Sequence, residues 1–141
     1  MTLPTILRPV GFFTDMGFGQ TWAKTSLALA RATSTLSPLE LEQLVAYLGA
    51  GHPFLDAMIM LEDPLDPGGP FLGPGSITCD GVWAWPAVLE IILTRHRPSL
   101  PDEFVEHVRS RRFQVADVGT TQFTLAGLID EDGLPGGFSC G

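Results

Sequence analysis

Ser76-Ile77-Thr78-Cys79-Asp80-Gly81-Val82-Trp83-Ala84-Trp85-Pro86 is the stretch whose reading decides the fold. Two short runs of strand-favouring residues flank Asp80-Gly81, the pair preferred in a tight hairpin turn whose two central residues take positive φ. The run therefore predicts a β-hairpin. Side chains alternate faces along a strand, so Trp83 and Trp85 project together. Tryptophan has a large apolar area to hide, which makes the core the stronger reading for both. Exposure at a groove would instead make them binding anchors.

Working outward, residues 86–96 predict a helix opened by Pro86, with Arg95, His96 and Arg97 at its negative end and Pro98 stopping it. A second helix opens at Pro101-Asp102-Glu103 and closes with Arg109, Arg111 and Arg112, its inner face carrying Phe104, Val105 and Val108. Residues 114–118 and 120–128 are rich in Val, Thr and Phe and predict strands joined by a hairpin over 118–120. Residues 130–133 read as an acidic turn and 136–141 as a frayed end.

Upstream, residues 62–75 hold four prolines and four glycines, so they are neither helix nor central strand but an ordered loop or a flexible lid, and Leu65, Phe71 and Leu72 favour a loop pinned against the body. Residues 54–61 are apolar except Asp56, and periodicity leaves strand and helix both open. Ser37-Pro38-Leu39-Glu40 is a capping box, and Leu41, Leu44, Val45 and Leu48 then trace one helical stripe ending at Gly49 and Gly51. Residues 21–32 predict a less clearly capped helix. Residues 6–13 predict a strand at the sheet edge, because Pro9 cannot donate to a ladder. Elements in this order describe one α+β domain over residues 1–141, a small mostly antiparallel sheet packed against two to four helices.

The composition narrows the partners. Charged residues are 17% of 141, with eight Lys plus Arg against sixteen Asp plus Glu, a net charge of −8. That balance argues against nucleic acid or an anionic membrane and favours a basic protein partner. No apolar run approaches the roughly 20 residues that span a bilayer. Met1-Thr2-Leu3-Pro4 lacks the basic and apolar regions of a secretory signal, so a cytoplasmic location with Cys79 and Cys140 reduced is expected.

No complete catalytic or cofactor motif is present. Residues 17–26 imitate a phosphate-binding loop, but Ala23 stands where a glycine must precede Lys24. Gly137-Phe138-Ser139-Cys140-Gly141 matches a nucleophile elbow in letters, without the following helix or the acid and histidine partners. His52, His96 and His107 are not at ligand spacing, and neither metal nor cofactor is expected. Glu62, Asp63, Asp66 and Asp80 bracket the loop without a cation among them, and they mark a located acidic surface.

Thr78-Cys79-Asp80-Gly81-Val82-Trp83-Ala84-Trp85-Pro86, a helix, then Leu100-Pro101-Asp102-Glu103-Phe104-Val105-Glu106-His107 resembles a pattern of small uncharacterised bacterial proteins. That pattern reads Thr-Asp-Gly-x-Trp-x-Trp-Pro followed by Leu-Pro-x-Glu-Phe-x-x-His, interrupted here by Cys79. Some such proteins are similar to immunity proteins, which neutralise bacterial toxins by binding them. The resemblance covers residues 76–112 and implies no activity. The expected function is binding rather than catalysis: occlusion of a basic partner such as a toxin through Glu62, Asp63, Asp66 and Asp80, with Trp83 and Trp85 beside them. A small enzyme or ligand-binding domain using Cys79, Asp80 or a histidine is the alternative, and a self-associating subunit a third.

Overall fold

The computed structural model describes residues 3–17, 22–32, 36–125 and 138–139. In chain order its elements are β1 (Thr5–Pro9), α1 (Leu27–Ala32), α2 (Pro38–Gly49), β2 (His52–Leu55), β3 (Met60–Leu61), β4 (Gly73–Pro74), β5 (Ile77–Cys79), β6 (Trp83–Pro86), α3 (Leu89–His96), α4 (Asp102–Ser110), β7 (Gln122–Leu125) and β8 (Phe138–Ser139). Six strands form a sheet in the order β2-β5-β6-β1-β7-β8, and β3 pairs with β4 separately. The expected α+β class is found. The large sheet is antiparallel except around β1, and it curls until β2 and β8 touch.

β1 is not an edge strand. It lies between β6 and β7 and runs parallel to both. Pro9 is tolerated because Arg8 and Val10 supply the N–H groups that reach Val82 and Ala84 at 2.8 and 2.9 Å. The nitrogen of residue 9 therefore faces the β7 side, where pairing has already ended at Leu7.

The Asp80-Gly81 hairpin forms with Cys79 opposite Ala84 and Thr78 opposite Trp85. Its turn differs from expectation, because Gly81 takes positive φ, 96°, and Asp80 does not. The Asp80 carboxylate instead folds inward and accepts the N–H groups of Val82 and Trp83 at 2.9 and 2.7 Å, a side-chain mimic of a backbone turn. Trp83 and Trp85 enter the main core with Tyr47 and Phe104. Phe104 meets their rings edge-on with centroids at 5.4 and 5.9 Å, a geometry the ring quadrupoles favour. On the other face Cys79 and Ala84 join Leu7, Phe54, Ile77 and Phe123 in a second core.

Ser37 caps α2 by accepting the Glu40 N–H at 3.2 Å. The reciprocal half of the box is not made, because the Glu40 carboxylate pairs with Arg109 of α4 at 2.7 Å. Pro86 stays in β6, so α3 starts at Leu89. Among the described residues of 21–32, only Leu27–Ala32 is helical, with the Leu27 N–H donating to Asp15 at 3.0 Å. Of residues 54–61, Phe54 and Leu55 end β2, Met60 and Leu61 form β3, and 56–59 connect the two.

Residues 114–118 form no strand and no hairpin closes over 118–120. After α4 the chain turns through Arg112 and Phe113 at φ 53° and 58°. His52 Nε2 then holds the next segment, donating to the Ala116 carbonyl at 2.8 Å. The end expected to fray contributes β8, with Phe138 opposite Phe123. Residues 130–133 lie outside the described residues.

Cys79 is disulfide-bonded, which corrects the expected reduced thiol. Cys140 is the one other cysteine in the sequence. Among the described residues, no helix is long and apolar enough to cross a membrane.

Candidate functional site

The structure separates the six residues expected to share a binding surface. Trp83 and Trp85 are core residues at 4% and 0% exposure, and Asp63 and Asp80 are buried at 3% and 1%. Glu62 and Asp66 alone are exposed. The correction has a physical cause: each buried carboxylate is satisfied by hydrogen-bond donors from its own turn and from distant parts of the chain, as a buried charge must be.

Asp80 is tied at both oxygens. Oδ1 accepts the two backbone N–H groups of its turn. Oδ2 accepts from the Tyr47 hydroxyl at 2.5 Å and from His107 Nε2 at 2.8 Å. One side chain thus joins the hairpin to α2 and α4. Burial, and then the adjacent Asp80 carboxylate, push the Tyr47 hydroxyl above its ordinary range, with Arg111 opposing weakly. Asp80 and His107 are the acid and histidine of the Asp-Gly-x-Trp-x-Trp-Pro and Glu-Phe-x-x-His segments, which pack together through Trp83, Trp85 and Phe104.

Asp63 performs the same work for the Pro/Gly loop. Its Oδ1 accepts the Leu65 N–H at 2.9 Å. Its Oδ2 accepts from His96 Nε2 at 2.7 Å and Arg95 at 3.4 Å, both at the end of α3. Burial alone would raise its pKa, but the bonds from His96, Leu65 and Arg95 outweigh it and hold the carboxyl below the usual range. Arg95 also donates to the carbonyls of Pro70 and Phe71 at 3.3 and 3.5 Å. The loop is therefore latched to α3 at both ends.

What the latch presents is the surface that sequence reasoning missed. Met58, Ile59 and Met60 are 98%, 72% and 50% exposed, and Phe71 is 54% exposed. Met60 pairs into β3, and Phe71 precedes β4, so one two-stranded unit carries both apolar groups. They are half of the exposed large hydrophobic residues among those described, which marks a concentration rather than the usual scatter. Asp56, Glu62 and Asp66 are exposed around them. The Met-Ile-Met run was the available signal, but an unbroken apolar run reads as buried until its pairing is known.

Cys79 is no free nucleophile, and every oxygen of Asp80 is engaged. Among the described residues, no group of three or more His, Cys, Asp or Glu could hold a metal ion. A groove of about 600 Å³ runs beside β1, where Arg8 lies over the Trp83 ring at 4.1 Å from its centroid and pairs with Glu103. Compared with protein-family models, curated proteins and solved structures, the chain finds no match in any of the three.

Proposed function

We propose that this chain is a binding protein of the immunity or inhibitor type, engaging a basic protein partner through the surface spanning residues 56–72. The observation that carries this reading is the exposed Met58, Ile59, Met60 and Phe71 group set among exposed Asp56, Glu62 and Asp66. The cation that touches the same loop, Arg95, is turned onto Asp63 and two carbonyls. An apolar centre within an acidic rim complements an apolar segment flanked by lysine or arginine. Methionine suits the role because its flexible thioether repacks against varied partners.

The acidic rim disfavours an anionic bilayer, which attracts cations. It also disfavours pairing with a second copy, whose rim carries the same sign. The Cys79 disulfide favours an oxidising setting over the cytoplasm for the encounter.

The test is a binding screen against the proteins encoded beside this one, at low and high salt. A partner should bind in a salt-sensitive way, and Met58→Ser with Ile59→Ser should weaken it roughly thirtyfold, the loss of a hot spot of about 2 kcal/mol. No binding at low salt, or equal binding by the double variant, would count against the proposal. Concentration-dependent sedimentation would favour self-association instead.

A further inference from the structure

Basic residues are scarce in this chain, yet three of its eight Lys and Arg residues line a single cavity. Arg31 reaches it from the end of α1, and Arg95, His96 and Arg97 reach it from the end of α3. Leu36, Pro38 and Leu41, at the start of α2, supply an apolar wall. Among the described residues no carboxylate lines the cavity, whose volume is about 370 Å³.

The four basic groups are not equally free. Arg95 and His96 already face Asp63, so Arg95 adds positive potential more than a fresh donor. Asp63 is the acid packed against them, and it offsets the Arg95 charge. Arg31 and Arg97 make no ion pair with a carboxylate among the described residues. Both are exposed, with their guanidinium donors available.

Arg97 carries a second sign of purpose. It caps α3 in the left-handed region at φ 52° and ψ 50°, where glycine is the ordinary occupant and another residue is strained by roughly 1 kcal/mol. Compensation of helix dipoles accounts for a cation at the end of α1 and another at the end of α3. It does not require the two ends to share a cavity, or a strained arginine beyond the last turn. The start of α2, a helix of twelve residues, adds its positive end to the same space.

From this convergence we infer an anion site, independent of the docking surface, that takes a phosphate group. Arg31 and Arg97 would grip the phosphate oxygens in the forked, charge-assisted manner that guanidinium allows. Arg95 adds positive potential behind them. The volume lies toward the small end of ligand sites, about 300–1,000 Å³, so it suits free phosphate or a small phosphomonoester. The Leu36, Pro38 and Leu41 wall would receive the organic part of the latter.

Calorimetric titration of the full chain in chloride buffer, at constant ionic strength, tests this with inorganic phosphate in one arm and adenosine monophosphate in the other. Saturable binding is expected in the millimolar range or tighter. Tighter binding of the nucleotide would assign the apolar wall to its organic part, and equal affinity would assign the site to the free anion. Arg31→Gln with Arg97→Gln should weaken either ligand at least roughly tenfold, the loss of a charge-assisted contact. Arg112→Gln, a control outside the cavity, should leave affinity unchanged. Both variants are to be checked for native circular dichroism. No saturable heat with either probe, or equal weakening by Arg112→Gln, would overturn the assignment.

Discussion

The Tyr47 hydroxyl lies 2.5 Å from Oδ2 of Asp80, joining the last turn of α2 to the β5–β6 hairpin turn through a side chain that is 1% exposed. Burial and the carboxylate both disfavour the tyrosinate, so the native pKa exceeds the unfolded value. Stability from this pair is complete below the unfolded pKa of about 10 and falls as pH rises above it, because only the unfolded chain then releases the proton. Tyr47 is the single tyrosine. Tyrosinate absorbance during an alkaline titration should therefore rise together with loss of circular dichroism, and ionisation of the folded protein near pH 10 would refute the arrangement. Tyr47→Phe should cost about 1.5–3 kcal/mol in urea unfolding at neutral pH.

Asp63 gives a dependence at the other end of the scale. Its carboxyl is held below the usual range, so its contribution is present above the unfolded pKa of about 4 and is lost as pH falls through the lower native value. Asp63→Asn should be destabilised by about 2–3 kcal/mol at pH 7. The gap to the parent should close in acid. A gap that persists unchanged well below the native pKa would mean that shape, not charge, holds the loop.

The Cys79 disulfide predicts that alkylation of the folded, unreduced protein followed by mass spectrometry finds no modified cysteine. Reduction should lower stability by roughly 3 kcal/mol, a fall in Tm on the order of 10 °C for a chain of this size. An unchanged Tm on reduction would show that the bond constrains little.

Arg97 predicts opposite effects on stability and binding. Arg97→Gly places the residue suited to the left-handed cap, so Tm should rise by a few degrees, about 1 kcal/mol of relieved strain. Phosphate affinity should fall in the same variant. A falling Tm would show that the arginine side chain braces the fold instead.

Elements with their own local signals were legible in the sequence. The Ser37 cap, the acidic start of α4 and the Asp80-Gly81 turn all depend on neighbours within a few residues. The Trp83 and Trp85 pair was legible for a related reason, since alternation places them on one face whatever packs there. The position of β1 was not legible, because its partners Trp83 and Phe123 lie far along the chain. The candidate site failed in the same way. Asp63 and Asp80 look like surface acids until His96 and His107, 33 and 27 residues away, are seen to cover them. Leu61 is buried while Met60 beside it is half exposed, a distinction that an apolar run cannot convey.

The central place of β1 also dictates an order of events as the chain is made. Thr5–Pro9 is made before both of its partners, so Arg8 must await Trp83 and Thr5 must await Phe123 before either side of the strand can pair. Closing loops of that length is entropically slow. Until then Leu7, 1% exposed in the finished protein, has no cover. The nascent chain therefore carries an open, hydrophobic strand until residues 122–125 have been made, and the helices α2 and α3, which pack on each other, have time to associate before the sheet does.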